Sequence, residues 1–436
     1  MKNINLKNTI RALTMTGFIG SATFFVVTST VAKNEKLVSK ESVLQHYADI
    51  AWHTFNDSLI TAKALEVAVQ ELAKEPTTEN LTKAKLAWKQ ARVPYQQTEV
   101  YRFGNAIVDE WEGKVNAWPL DEGLIDYVAP SYGADSEENT LYTANVVQNT
   151  RFQLSGQEVD ASKITKTLLS ETLHEIDGVE ANVATGYHAI EFLLWGQDLN
   201  GTNAGAGNRP VSDFDVNNCS WGNCQRRVDY LLTATSLLID DLAWMVQQWQ
   251  ENGAARQSLL SDKEAGIATI LTGMGSLSYG ELAGERIKLG VLLHDPEEEH
   301  DCFSDNTHNS HFYDIKGIDN VYTGIYKKIN GRIISGPSLY ELLAKLDKSL
   351  ASTLKSEINQ SLIKAKVLVD SAENDGIAYD QLLAENNPEG NAKILAVVDA
   401  LSTQTQSIEK AVASLGLNKI EFEGSDSLDN PKAVFQ

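Results

Sequence analysis

Cysteine is scarce in this chain, and its scarcity limits how the fold can be held together. Three cysteines in 436 residues are too few for a disulfide scaffold, and none lies near the N-terminus to accept a lipid. Cys219 and Cys224 bracket the short loop CSWGNC, so we expect them to pair in an oxidising compartment, with a redox role for that loop as the alternative. Cys302 is then left as a free thiol, either buried or reactive.

Positive charge is also in short supply. The sequence has 37 lysines and arginines against 59 aspartates and glutamates, which gives a formal net charge of −22 at pH 7. No basic stripe interrupts this acidity, so we expect no nucleic-acid partner and no attraction to anionic lipid. The same charge attracts cations and helps to keep an exported protein in solution.

Beyond residue 32, no stretch is apolar for long enough to span a bilayer. Before it, Lys2, Lys7 and Arg11 precede a mostly apolar run over residues 12–32 that has no acidic residue and ends in small residues. This pattern predicts a secretory signal peptide over residues 1–32, and hence a periplasmic or secreted protein without stable membrane insertion after cleavage. Uncleaved, the segment would be an anchor. Removal of its three positive charges takes the net charge from −22 to −25.

Apolar and polar residues almost never alternate with a period of two, which argues against β-sheets. Helical periodicity instead predicts long helices over about residues 38–72, 79–92, 164–173, 186–195, 225–249, 261–293, 338–372 and 392–415. Pro94 should bend or end the second of these near residues 92–93. Segment 104–160 is expected to be loop-rich with short helices, and 200–218 and 295–311 to be loops. We therefore predict an all-α fold of bundled helices.

Two segments resemble each other, HEIDGVEANVATGY (174–187) and YDIKGIDNVYTGIY (313–326). When Ala181 is omitted, six residues align as identical, including Gly178 with Gly317. We interpret this as a diverged internal duplication, with chance similarity as the alternative. It predicts two helical-bundle domains, 33–218 and 219–436, each carrying an Ile-x-Gly turn before a helix.

The stretch GYHAIEFLLW, residues 186–195, is where we expect the chemistry. His188 and Glu191 are three residues apart, so a helix projects both from the same face. The apolar residues around them predict a buried helix. A buried imidazole and carboxylate need partners, which are a metal ion, a second helix or each other. Gly186 would let another backbone or a ligand come close.

The spacing Gly-x-His-x-x-Glu over residues 186–191 resembles the signature of the imelysin family, also called peptidase family M75. Other blocks are similar to the family in the same order: ARVPYQQTEVYRFG (91–104), NAWPLDEGLIDYV (116–128), GERI (284–287) and DCFSDNTH (301–308). The resemblance covers nearly the whole chain after the signal peptide. It implies an exported protein concerned with iron uptake, or a peptidase, with the His-x-x-Glu site near a domain interface.

Metal binding by His188 and Glu191 would need at least one further ligand, and imidazole with carboxylate suits iron or zinc. Glu99 is our first choice, because it follows Pro94 in a block that matches the family. Asp121 and Glu122 are the second choice. For each of the three, a solvated surface position is the alternative.

Segment 294–311 is a second candidate metal site. It contains four of the eight histidines, and carboxylates lie among them: His294, His300, His308 and His311, with Glu297, Glu298, Glu299, Asp301 and Asp305. A loop dense in imidazole and carboxylate can chelate a transition metal. The alternative is a solvated acidic loop in which Ser304, Asp305 or Asn306 caps the next element.

Charged and aromatic residues in the matching blocks are candidates for the surroundings of the site. We expect Glu285-Arg286, like Arg92 and Arg102, to form buried ion pairs that orient helices. The aromatic residues are expected in the core, with one or two beside His188: Trp88, Tyr95, Tyr101, Trp118 and Trp195.

The function expected from these features is an exported metal-binding protein of iron uptake that passes its ion to a membrane transporter or receptor. A metallopeptidase with Glu191 as base is one alternative, although the His-Glu-x-x-His signature is absent. Nor does a Gly-x-Ser-x-Gly turn occur. A metal-free binding module with a pocket between the bundles is the other alternative.

Overall fold

The computed structural model describes residues 38–134, 136, 139–154 and 156–435. The predicted signal peptide lies outside these residues. Within them, every helix is too short or too polar to cross a membrane.

α-Helices make up most of the described chain. They are α1 (Lys40–Lys74), α2 (Thr78–Gln96), α3 (Ala106–Asn116), α4 (Gly186–Trp195), α5 (Cys224–Gln248), α6 (Ala254–Leu260), α7 (Lys263–Ser276), α8 (Leu289–Leu293), α9 (Thr307–Thr323), α10 (Leu339–Ala344), α11 (Lys348–Glu373), α12 (Tyr379–Leu383), α13 (Pro388–Ser414) and α14 (Asp426–Asp429). A π-helix, Leu277–Lys288, joins α7 to α8 without a break, and another covers Leu168–Leu173.

Short elements fill the connections between these helices. The 3-10 helices are Glu99–Tyr101, Glu122–Leu124, Pro130–Tyr132, Ile176–Gly178, Val211–Asp213, Pro296–Glu298, Cys302–Ser304 and Ala433–Phe435. Strand β1 (Arg151–Leu154) pairs antiparallel with β2 (Gln157–Asp160), and β3 (Ile325–Lys327) with β4 (Ile333–Ser335). These two small hairpins leave the all-α class confirmed.

Helix α1 is the central helix of a first group that also contains α2, α4 and α5. Its N-terminus is capped by Ser39, whose side chain accepts a hydrogen bond from the backbone of Ser42. Its apolar residues recur at helical spacing and are buried against α2 and α5. Phe55 of α1 stacks on Trp249, at the end of α5, with ring centroids 6.3 Å apart.

Helices α9, α11, α13 and the long π-helix pack together as a second group. The two groups meet where α2 packs against α9. This contact brings Arg92, in α2, next to Asp301, just before α9. The buried region around that ion pair holds the histidines of interest.

Three sequence expectations need correction. Helix α2 does not end near residues 92–93 but continues through Pro94 to Gln96, because a proline in the last turn disrupts few further helical bonds; the bend at Pro94 stays a prediction. The helix predicted over 338–372 is broken into α10 and α11, since Asp347 caps α11 through the backbone of Leu350. The loop predicted over 295–311 reaches only residue 306. Helix α9 begins at Thr307, although its first turn is polar.

The predicted Ile-x-Gly turn of the second repeat copy is also wrong. Ile315 and Gly317 lie inside α9, where Gly317 allows the backbone at Gln97 to approach, whereas Gly178 ends a 3-10 turn. The duplication is therefore not shown. The two-domain division at 218/219 stays a prediction: residues 38–435 form one compact unit, and α5 packs mainly on α1 and α4.

Candidate metal centre

Helix α4 carries His188 and is buried along its whole length. It begins at Gly186, whose φ of 79° lies in the left-handed region. A Cβ built on Gly186 would lie 2.4 Å from the carbonyl oxygen of Val115, so only glycine lets α4 start this close to the end of α3. The close approach that Gly186 was expected to allow is therefore made by the backbone of Val115. This contact fixes the position of His188, two residues further along α4.

His188 and Glu191 do share one face of α4, as their spacing predicts. His188 Nδ1 lies 3.1 Å from Glu191 Oε2, and the backbone N–H of Ser304 donates to Glu191 Oε1 at 3.0 Å. When Nδ1–H donates to the carboxylate, the lone pair of His188 is on Nε2. Both Glu191 oxygens are therefore engaged, and Glu191 orients the imidazole.

The second half of the centre comes from the segment before α9. His188, His300 and Asp301 each offer a ligand atom, and these atoms lie within 4.8 Å of one another. The rings of His188 and His300 meet edge to face with centroids 4.7 Å apart. The histidine-rich segment and the Gly-x-His-x-x-Glu helix thus form a single site.

Asp301 is held as an anion by a dense set of donors. Arg92 Nη2 donates to its Oδ1 at 2.7 Å, and Asn306 and Ser310 donate to its Oδ2 at 2.9 and 2.5 Å. Burial opposes ionisation most strongly, but the Arg92 guanidinium and the hydrogen bonds from Ser310 and Asn306 together outweigh it and lower the pKa of Asp301 to about 2. Arg92 is itself fixed by Asn116, to whose Oδ1 it donates at 2.6 Å.

Several imidazole nitrogens around this cluster are buried without a hydrogen-bond partner among the described residues: His188 Nε2, His300 Nδ1, His308 Nδ1 and both ring nitrogens of His311. Burial and the nearby Arg92 charge lower the pKa of His188 to about 3. Burial likewise holds the pKa of His300 well below its usual range. Neutral, unpartnered imidazole is the form in which histidine binds metal ions. The donor set therefore fits a transition metal.

Glu99, our first choice for a further ligand, lies in a different network. Its carboxylate accepts a hydrogen bond from Arg286 Nη2 at 2.7 Å. Arg286 also pairs with Glu281 at 2.6 Å and with Asp314 at 3.3 Å. Glu99 is absent from the cluster of ligand atoms found among the described residues. The expectation of a buried ion pair is met by Arg286, whereas its neighbour Glu285 is exposed and makes none of these pairs.

The other predicted residues occupy several places, and only some of them contact the centre. Trp118 packs edge to face on His300 at 5.8 Å, and the Arg92 guanidinium lies 5.5 Å from the Tyr95 ring centroid. Asp121 and Glu122 accept hydrogen bonds from Asn139 and Gln197 respectively. Asp305 lines a separate cavity of about 380 Å³ with His308 and Lys89. A disulfide joins Cys219 and Cys224, away from these residues along the chain.

A cavity of about 680 Å³, which we call the acidic cleft, reaches the centre at His300. Eight carboxylate residues line it, against two arginines: Asp109, Glu110, Glu112, Glu175, Glu180, Glu281, Glu285 and Glu298, with Arg102 and Arg286. Arg102 pairs with Asp109 at 2.9 Å and lies 3.7 Å from Glu112. Burial, together with the nearby Glu99 charge, raises the pKa of Glu112 to about 7.

The sequence predicts two separate candidate sites, and the structure brings residues of both together. More than a hundred residues separate residues 186–191 from 294–311, and no linear pattern in the sequence joins them. Arg92 was expected in an ion pair, and its partner Asp301 was not foreseen. The available signal was the family-like block DCFSDNTH, whose first residue is that partner.

Comparison with known proteins shows the family of the chain. The family model of imelysin, peptidase family M75, matches residues 51–408, and the chain belongs to this family. Over 109 residues, 25% of the chain, the sequence is 30% identical to iron-regulated protein A of Synechococcus elongatus. That match spans 30% of the relative's length. The resemblance drawn from the sequence is thereby confirmed.

Two crystal structures share the fold. A candidate iron-regulated protein A precursor from Parabacteroides distasonis is 16% identical, with a TM-score of 0.62 over 86% of this chain and 95% of that chain. An imelysin-like protein from Psychrobacter arcticum is 14% identical, with a TM-score of 0.56 over 88% of this chain and 97% of that one. At sequence identities this low, the similarity to these two structures shows that the fold is shared and shows nothing about function.

Proposed function

We propose that the protein is an exported metal-binding protein that captures a transition metal ion, iron in the first place, and releases it to a membrane transporter or receptor. The observation that carries the proposal is the unpartnered Nε2 of His188, buried beside His300 and Asp301. The relation to an iron-regulated protein makes iron the first ion to test and zinc the second.

The chemistry of the cluster supports reversible binding. His188 and His300 supply imidazole nitrogens and Asp301 a carboxylate oxygen, a set that suits iron and zinc. Glu191, which we first expected to be a ligand, holds His188 through Nδ1, as carboxylates commonly do behind metal-binding histidines. Because Arg92 already neutralises Asp301, an ion meets little net negative charge there. Moderate affinity, suited to release, follows.

Calorimetric titration with ferrous, ferric and zinc ions tests the proposal. The substitution His188→Ala removes a ligand and should weaken binding at least 100-fold. Glu191→Gln leaves the ligand but loosens its orientation, so a 10- to 100-fold loss is expected. His53→Ala, on α1 and half-buried, is the matched control and should change the affinity less than twofold.

Other results would point elsewhere. Equal affinity of the wild-type chain and His188→Ala would contradict the metal centre and leave the metal-free binding module. Peptide cleavage that requires metal and disappears in Glu191→Gln would support the metallopeptidase instead. Circular dichroism of each variant separates loss of a ligand from loss of the fold.

A further inference from the structure

The residues that line the acidic cleft become less exposed to solvent from its mouth to its inner end, where the imidazole of His300 is buried. Glu110, Glu175, Glu180 and Glu285 are exposed, whereas Glu112 is only 7% exposed. Among the ion pairs of the described residues, none joins a lysine or arginine to Glu110, Glu180 or Glu285, so their charges face the cleft uncompensated. Such a surface raises the local concentration of cations at the mouth of the cleft.

His300 is what lies deeper. It lines the cleft, is 2% exposed, and its Nδ1 has no hydrogen-bond partner among the described residues. It also belongs to the cluster with His188 and Asp301. One residue thus faces both the cleft and the proposed metal centre. A buried imidazole nitrogen without a partner costs free energy unless a ligand satisfies it.

We propose that the acidic cleft is the access route to the metal centre, and that its charge selects free metal cations and rejects anionic metal chelates. This inference rests on the proposed function and names the substrate class of that site. An ion with six water molecules occupies on the order of 200 Å³, from about 30 Å³ per water, and the cleft of about 680 Å³ admits it.

Charge, rather than size, makes the selection. A cleft with low-dielectric walls and charge of one sign focuses its field, which raises the local concentration of the opposite charge and the association rate by about 10- to 1,000-fold. The same field repels a chelate whose ligands carry net negative charge. Eight carboxylates against two arginines, both of which are themselves ion-paired, leave the cleft strongly negative.

The test is the rate of metal association with the full chain. Trp118 packs on His300, so ferrous ion binding should quench its fluorescence in a stopped-flow instrument without oxygen. A cleft variant replaces four exposed carboxylates by amides: Glu110→Gln, Glu175→Gln, Glu180→Gln and Glu285→Gln. At low ionic strength its association rate should fall at least about tenfold. Near 1 M salt, where the Debye length is about 3 Å, the difference should vanish.

A control variant carries the same change in net charge elsewhere on the surface, with Glu71→Gln, Glu75→Gln, Glu385→Gln and Asp399→Asn, all exposed positions. Its association rate should stay within about twofold of the wild-type rate.

In a second experiment, wild-type protein is mixed with ferric citrate, an anionic chelate. The wild-type protein should take up iron from ferric citrate at least tenfold more slowly than it binds free ferrous ion. From ferric citrate, the cleft variant should take up iron faster than the control variant does.

The outcomes separate this inference from the function beneath it. If the cleft variant and the control associate at equal rates, or if ferric citrate binds as fast as ferrous ion, the access route is overturned while the metal centre stands. If the wild-type chain binds no metal, both fail. Slower association with unchanged dissociation in the cleft variant supports the route.

Discussion

The position of His188 depends on a single residue without a side chain. Substituting Gly186 by alanine should cost about 3 kcal/mol or more in the free energy of unfolding, because it adds left-handed strain to a clash with Val115. Metal affinity should fall with it, since α4 must shift. Denaturant unfolding and metal titration of the same variant measure the two effects.

Gly178 is the matched control. It also has a positive φ, 74°, but nothing lies within 4 Å of a Cβ built there. Gly178→Ala should therefore cost only about 1 kcal/mol, the backbone part alone. Comparable losses for the two alanine variants would contradict the close contact between α4 and α3.

Residues at this scale were only partly predictable. The periodicity of α4 and the three-residue spacing placed His188 and Glu191 on one face, because both follow from helix geometry alone. The contact of Ser304 with Glu191 could not be anticipated, since it joins residues that are 113 positions apart. The ion pair between Glu99 and Arg286 could not be anticipated for the same reason, because the two residues are 187 positions apart.

At the scale of elements, one guanidinium ties three helical segments together. Arg286 of the long π-helix pairs with Glu99 of a 3-10 helix and with Asp314 of α9, and all three side chains are almost fully buried. Arg286→Met leaves these acids without their counter-ion. We expect a loss of about 3–5 kcal/mol in the free energy of unfolding, measured with denaturant.

A surface ion pair gives the comparison. Arg256 pairs with Asp49 at 2.6 Å, but the side chain of Asp49 is 51% exposed. Arg256→Met should cost less than about 1 kcal/mol. Similar losses in the two methionine variants would show that Arg286 does not carry the buried network.

Elements themselves were well predicted where the apolar pattern is long. The bounds of α1, α5 and α13 differ from the predicted helices by a few residues, because each has a continuous buried face. The sequence does not predict helix α9: its first buried side chains are Thr307, His308, Ser310 and His311, which look like a polar loop, and the sequence predicts a turn at Ile315-x-Gly317. Burial of polar groups depends on partners that a linear pattern does not show.

For the whole molecule, buried neutral histidines predict sensitivity to acid. Burial lowers the pKa of His311 from 6.5 to about 3. Between these values the unfolded chain binds a proton that the folded chain does not, so the free energy of unfolding falls as the pH drops. By pH 4 this one imidazole should cost about 3 kcal/mol in the metal-free protein.

Replacing His311 by phenylalanine keeps a ring against Tyr379 and removes the titration. Chemical unfolding from pH 7 to pH 4 should then show a shallower decline than in the wild-type protein. His53→Phe, at a half-buried position, should change the slope less. Parallel profiles for wild type and His311→Phe would mean that this histidine is not neutral in the fold.

The salt bridge between Arg92 and Asp301 spans 209 positions of the sequence. Under the proposed function, a chain in which these positions have not yet met has no preformed metal centre, so metal loading would follow folding. The compartment where the chain folds would then decide which ion it meets first, whatever the intrinsic preference of its donors. Cellular location would thereby act as part of the selectivity.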